Sequence, residues 1–176
     1  MATDSTKILV GAGTAYIGDY VAAAGAATLV DVGHTHKPVS YAPEFKNYDV
    51  ESERAFGVIK SSPVDAMIKV TVPMMETTAQ NLRIAMRQPS ANISGSAPNN
   101  TILVGDPKEQ YHQIKISGPG PGTNKARDIF FWKCQVESMK EVGIAKGDVQ
   151  VYDVVFRVLY DDSVATADKF FKQVDS

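Results

Sequence analysis

The sequence predicts a mainly β protein, an antiparallel β-sandwich with one short α-helix packed on a sheet. Long stretches after residue 35 alternate apolar and polar side chains with a period of two, as strands with one buried face do. The shorter apolar runs between them are bounded by Gly, Pro, Asn or Asp, which are typical of turns. Only one segment carries both the start and the stop signals of a helix.

The chain has 176 residues and a formal net charge of −2, which fits a single domain over residues 1–176. We expect the sandwich core at about residues 8–162 and an extended C-terminal tail at 163–176. Twenty Asp and Glu against 18 Lys and Arg disfavour tight, sequence-independent DNA binding. No run approaches the ~20 apolar residues of a membrane helix. The first residues also lack the pattern of a signal peptide, so neither membrane insertion nor secretion is predicted.

The N-terminal region imitates a dinucleotide-binding motif. A strand-like segment at 8–10 precedes Gly11 and Gly13, and Asp31 lies 20 positions after Gly11, about where a ribose-binding acid would be. Tyr16, however, occupies the position of the third glycine, which lets the helix pack closely on the strand. A nucleotide-dependent enzyme is therefore disfavoured.

The strands are predicted from alternation and from turn residues. Long strands are expected at 64–74, 128–136 and 149–160. Shorter ones are expected at 8–10, 29–32, 38–41, 56–59, 102–104 and 110–117. Pro73 predicts an edge or an end for the first long strand, because proline cannot donate to a ladder. The segment 149–160 is apolar on both faces, so its second face is expected to need cover from a neighbouring element.

The helix is predicted directly after the strand that ends near Met74. Thr77 and Gln80 have the spacing of a capping box, and Glu76 places negative charge at the helix N-terminus. Arg83 suits the C-terminal end of the helix, which a following proline stops. The expected buried stripe consists of Ala79, Leu82, Ala85 and Met86.

Two long segments, 42–55 and 87–101, have no clear period and are predicted to be loops. Loops of this length in a compact domain usually carry function or contact a partner.

No constellation of catalytic or metal-binding residues is evident. His34, His36 and His112 could supply three imidazoles, but nothing in the sequence places His112 near the other two. Cys134 lies on the alternating face of a predicted buried strand and is expected to be an inert core thiol. No serine lies in a Gly-x-Ser-x-Gly elbow. We therefore predict that the protein is not an enzyme and has no cofactor.

The order of these features resembles a known family. A strand with small residues leads to Asp31-Val32-Gly33, and a charged loop and a long strand follow. Next comes the sequence Glu76-Thr77-Thr78-Ala79-Gln80-Asn81-Leu82-Arg83-Ile84-Ala85-Met86, and two long strands close the pattern. Over residues 8–162 this resembles the major tail tube proteins of long, non-contractile-tailed bacteriophages (siphophages).

The resemblance implies a structural virion protein whose hexameric rings stack head to tail into a tube for delivery of double-stranded DNA. Its partners would be other copies of itself and the tape-measure, tail-tip and tail-terminator proteins, with DNA passing through unbound. It would be assembled in the host cytoplasm and end up in the virion tail. The fold implied is a sandwich of tail-tube type with long inter-subunit loops.

Within that interpretation, the loop at 42–55 is the candidate arm between rings, with Phe45, Tyr48, Asp49 and Glu51 as contact residues. A mildly acidic lumen would keep a duplex sliding. The acidic residues expected to line it are Asp65, Glu137 and Asp153.

Two alternatives keep the same fold. One is a capsid-decorating or ligand-binding module that uses the loops at 87–101 and 118–122 as its contact surface. The other is the inner tube protein of a contractile injection machine.

Overall fold

A computed structural model describes residues 13–22, 27–51, 58–95, 99–120, 126–140, 142, 150–164 and 168–176. It contains one α-helix and ten β-strands in the described part of the chain. In chain order these are β1 (Thr14–Asp19), β2 (Val30–Asp31), β3 (Ser40–Glu51), β4 (Val58–Met74), α1 (Ala79–Ala85), β5 (Ile93–Ser94), β6 (Thr101–Ile102), β7 (His112–Gly118), β8 (Arg127–Met139), β9 (Tyr152–Val158) and β10 (Phe171–Asp175). The prediction of a mainly β protein with one short helix is confirmed.

Eight of the strands form one antiparallel sheet in the order β2-β1-β7-β8-β9-β4-β3, with β10 paired to β8. Strands β5 and β6 form a separate two-stranded sheet. Two facing sheets are not present among the described strands, so the predicted sandwich is not confirmed.

The large sheet curves strongly. The ring of Tyr41 in β3 lies 5.7 Å from the ring of Phe131 in β8, although β4 and β9 separate these strands in the hydrogen-bonded order. In a flat sheet, three strand spacings of about 4.8 Å would hold the two rings far apart. Curvature therefore gives one sheet an enclosed inner face, which holds the core.

The core consists of alternate residues from the central strands. Ile68, Val70, Val72 and Met74 of β4 are buried, as the alternation predicted, and the strand ends after Pro73 and Met74. The same inner face takes Ile17, Ile114, Phe131, Cys134, Val136, Val154, Phe156 and Val158.

Strand β9 differs from its prediction. Its even-numbered side chains, from Tyr152 to Val158, are buried within the subunit. The opposite face is partly covered at Val155 and carries exposed Arg157 at its end. The second face therefore needs less cover from a neighbouring element than two apolar faces predict, because the larger side chains lie on the inner face of the curved sheet.

The segment predicted as a loop at 42–55 is mostly strand. Residues 40–51 form β3, and β4 extends back to Val58, which joins the strands predicted at 56–59 and 64–74. Residues 52–57 lie outside the described part of the chain. Sequence alternation failed to reveal β3 because its side chains face solvent on both sides, so no apolar period marks it.

The N-terminal prediction also needs correction. Thr14–Asp19 form a strand where the imitation of a nucleotide motif would need a turn and a helix. The strand predicted at 8–10 lies outside the described residues.

Helix α1 begins one residue later than the capping box predicted. Thr78, not Thr77, is the N-cap, and its hydroxyl accepts a hydrogen bond from the Asn81 amide at 3.1 Å. Gln80 does not reach back to the cap; instead its Oε1 accepts from Arg83 Nε at 3.1 Å.

The buried face of α1 is different from the predicted stripe. It contains Asn81, Arg83, Ile84 and Ala85. Leu82 is half-buried against the core, and Met86 is the C-cap. Polar Asn81 and Arg83 are tolerated inside because each finds hydrogen-bond partners there.

Candidate assembly surface

Strands β3 and β4 continue beyond the sheet as a two-stranded ribbon. Strand β9 pairs with β4 only from Ile68 to Met74. Among the described strands, residues 58–67 of β4 therefore pair only with residues 44–51 of β3, and we call this part the ribbon. An isolated pair of strands is at best marginally stable in water. The ribbon thus has the form of an extension that gains stability when it contacts something else.

Both faces of the ribbon carry an exposed aromatic ring. Phe45 is 68% exposed and Tyr48 is 65% exposed. The bulge between Lys46 and Asn47 adds its extra residue to β4, so side chains in β3 keep alternating. Phe45 and Tyr48 are three positions apart and therefore point to opposite faces. A contact surface on each side of the ribbon would cover both rings.

The two acidic residues predicted beside these aromatics have different surroundings. Asp49 accepts a hydrogen bond from the Ser61 hydroxyl at 2.6 Å, which links the two strands of the ribbon. The side chain of Glu51 lies outside the described part of the structure, although its backbone pairs with Val58.

The three acidic residues predicted for a lumen lie on three different strands, β4, β8 and β9. Asp65 is exposed on the ribbon opposite Lys46. Glu137 lies 3.5 Å from Lys69 Nζ, and Asp153 lies 3.4 Å from Lys140 Nζ. The carboxylates of Glu137 and Asp153 therefore each lie near an amine, which gives this part of the surface mixed charge.

The helix is fixed to the sheet by a buried polar cluster that the sequence did not reveal. Arg83 is 1% exposed, and its Nη2 lies 2.9 Å from Asp19 Oδ1 at the end of β1. His112 of β7 is also buried, with Nδ1 3.5 Å from the same oxygen. His112 and Arg83 lower the pKa of Asp19 to about 2, against the opposing effect of burial. In the sequence, the one feature that could have indicated this cluster is the charged Arg83 within the helix pattern.

The loop after α1 is held by the buried side chain of Gln88. Its Nε2 donates to the carbonyls of Met86 and Gly105, and its Oε1 accepts from Asn92 Nδ2 and the Gly105 amide. The predicted strand at 102–104 is shorter than expected, because β6 ends at Ile102. Leu103 and Val104 follow it as exposed side chains.

The C-terminal tail is part of the sheet. Strand β10 pairs with residues 127–131 of β8, and the Arg127 guanidinium makes two bonds, of 2.7 and 2.8 Å, to the Asp175 carboxylate. The turn before it is fixed by buried Asp161, which accepts hydrogen bonds from the Tyr20 hydroxyl and the Ser163 amide. The sheet therefore extends beyond residue 162, the predicted limit of the sandwich core.

Among the described residues, no group of three or more His, Cys, Asp or Glu side chains could hold a metal ion. Burial raises the pKa of Cys134, which keeps the thiol protonated. No helix in the described ranges is long and apolar enough to cross a membrane.

No protein-family model and no curated protein matches this chain.

Proposed function

We propose that this chain is a self-assembling structural protein, a tail tube subunit of a long-tailed bacteriophage, whose rings stack into a tube for double-stranded DNA. The observation that carries the proposal is the ribbon, which projects beyond the sheet with an aromatic ring exposed on each face. A projecting element of this kind can reach a neighbouring copy, and burial of both rings would stabilise the contact.

Head-to-tail contacts explain how one chain could build a tube. A heterologous contact closes into a ring when its rotation allows, and otherwise propagates as a filament. The partners expected from the family resemblance are the tape-measure, tail-tip and tail-terminator proteins, at the two ends and inside the tube. The virion tail would be the final location of the protein.

The first experiment is sedimentation velocity and negative-stain microscopy of the purified chain over a wide range of concentration. We expect rings, filaments or tubes at high concentration. Replacement of both Phe45 and Tyr48 by Ser should leave the circular dichroism spectrum unchanged and shift assembly to higher concentration. Tyr160→Ser, an exposed aromatic outside the ribbon, is the matched control.

A wild-type protein that stays monomeric at every concentration would contradict the proposal. A discrete oligomer that adds to preformed capsids without polymerising would favour the alternative of a decorating module. An unfolded double variant would show that the ribbon aromatics belong to the folded core.

A further inference from the structure

Two aliphatic side chains are presented to solvent on the loop after β6. Leu103 is 64% exposed and Val104 is 49% exposed. We call this pair the knob. Single exposed apolar residues are common, but two large ones side by side on an ordered loop are a candidate contact surface.

The backbone of the knob is fixed by hydrogen bonds. Leu103 donates its amide to the Asn92 carbonyl at 2.9 Å and accepts from Asn92 Nδ2 at 3.1 Å. Asn92 is in turn bound to buried Gln88, which also holds Gly105 just after the knob. A contact made by the knob would therefore cost little additional ordering of the backbone.

A pocket lined partly by apolar side chains lies elsewhere on the same chain. It has a volume of about 390 Å³ and lies between the segment before β3 and the Ile116 end of β7. Pro38, Val39 and Ile116 form its apolar wall, and His36 and Lys37 lie at its polar side. A dry cavity of about 150 Å³ holds a benzene molecule. This pocket therefore has room for both side chains of the knob.

The knob and the pocket lie at opposite ends of β1. Gly13, just before β1, borders the pocket. Asp19, at the other end, binds Arg83, which donates to the Gln88 carbonyl beside the knob loop. Six residue steps of about 3.3 Å put these two ends about 20 Å apart. The knob therefore cannot fill the pocket of its own molecule.

We propose that the knob of one copy inserts into the pocket of a second copy of this chain. The charges beside the two surfaces are complementary. Asp106 and Glu109 follow the knob, and Lys108 is the one basic residue between them, whereas the pocket presents Lys37 beside His36. Opposite charges around an apolar contact set its register and disfavour knob-to-knob pairing.

This inference rests on the proposed self-assembly and names a contact within it. The knob and the pocket are different surfaces at different ends of one strand, so the contact is heterologous and leaves a free knob and a free pocket on each pair. It can repeat without limit or close into a ring. It is also separate from the ribbon, so the two contacts can be tested independently.

The test measures the concentration at which the purified full chain polymerises, by light scattering and sedimentation. Leu103→Glu should raise this concentration about tenfold or more, because a charge would enter an apolar pocket. Val174→Glu, another exposed aliphatic residue, should leave it unchanged. Asp106→Lys and Lys37→Asp should each raise this concentration. The two substitutions together should restore the wild-type value, because the charges beside the knob and beside the pocket are then opposite again. Circular dichroism confirms that each variant is folded.

The outcomes separate the two proposals. If the wild type polymerises but Leu103→Glu behaves like Val174→Glu, the knob contact is wrong and the proposed function stands. If both charge reversals weaken assembly and their combination does not restore it, the pocket is not the partner of the knob. If the wild type does not polymerise at all, the proposed function fails and this contact fails with it.

Discussion

Arg83 and His112 lie inside the protein where α1 meets β1 and β7, and both approach one carboxylate oxygen of Asp19. At 2.9 Å, Arg83 makes the closer contact. The Asp19 side chain itself is half exposed, so solvent weakens the interaction. The cluster nevertheless gives Arg83 a charged partner, without which a buried guanidinium would be costly.

Asp19 should make stability depend on pH in a defined window. The pKa of Asp19 in the folded protein is lowered from 3.8 to about 2 by His112 and Arg83. A lowered pKa means that the carboxylate stabilises the fold above about pH 4, and that this contribution is lost as the pH falls toward 2. Asp19→Asn should therefore lower the urea midpoint at neutral pH. On acidification the urea midpoint of this variant should fall less than that of the wild type.

The exposed Asp65 provides the control for this series, because Asp65→Asn removes a carboxylate without touching the cluster. The measurement is the difference in urea midpoint between variant and wild type at neutral pH and at about pH 2. A constant difference for Asp19→Asn across this range would contradict the assigned role.

Helix α1 begins one residue later than the sequence pattern predicts, and its buried face is not the predicted one. Its length of seven residues is too short for stability in isolation, so its cap and its buried face decide whether it forms. The cap is Thr78, and the buried face includes Ile84 and Ala85.

The position of the cap can be tested with two neighbouring threonines. Thr78→Ala should lower the free energy of unfolding by about 1 kcal/mol, because the Asn81 amide loses its acceptor. Thr77→Ala should have a clearly smaller effect, as Thr77 is exposed and precedes the cap. Urea denaturation of both variants measures the difference. A larger loss of stability for Thr77→Ala would support Thr77 as the N-cap, as the sequence pattern predicts.

Strand β3 carries features that oppose uncontrolled pairing along its free edge. Pro43 has no amide hydrogen to offer, and the bulge between Lys46 and Asn47 interrupts a regular ladder. Charged side chains at Glu44 and Lys46 add to this protection. We therefore expect the ribbon to make contacts through its faces, where Phe45 and Tyr48 lie.

At the scale of the whole molecule, β10 adds a strand to one part of β8 and places the Phe171 ring beside two aromatic rings of the sheet. The Phe171 ring lies 5.7 Å from Phe131 and 6.2 Å from Tyr41. Three aromatic rings from β3, β8 and β10 thus meet across the curved sheet. The C-terminal strand is a structural part of the domain.

Phe171→Ala should destabilise the protein by about 1–3 kcal/mol. Truncation of a fully buried phenylalanine costs about 3–5 kcal/mol, and the smaller effect is expected because the Phe171 ring is partly exposed. Val174→Ala is the matched control in the same strand, with similar exposure but on the opposite face. Its effect should stay within about 0.5 kcal/mol. Equal effects in thermal or urea unfolding would show that β10 does not pack on the core.

Local pattern was sufficient for β4. Its alternation identified the buried residues from Ile68 to Met74, since a period of two follows directly from strand geometry. In β8 a register shift opposite His112 and Ile114 breaks the alternation, so the buried positions change from Ile129 and Phe131 to Cys134 and Val136. Local pattern was insufficient for β3, whose side chains are exposed on both faces, and for Leu103 and Val104, whose apolar character predicted a strand instead of a knob.

The sequence by itself determined that this chain is mainly β, where most strands lie and that a single helix follows the Met74 strand. Tertiary structure alone decided the curvature of the sheet, the burial of Arg83, the projection of the ribbon and the positions of knob and pocket. These features depend on residues far apart in the chain, such as Asp19 with Arg83 and Tyr41 with Phe131. Periodicity reports only which side chains share a face, whereas distance between faces is set by how the strands pair and bend.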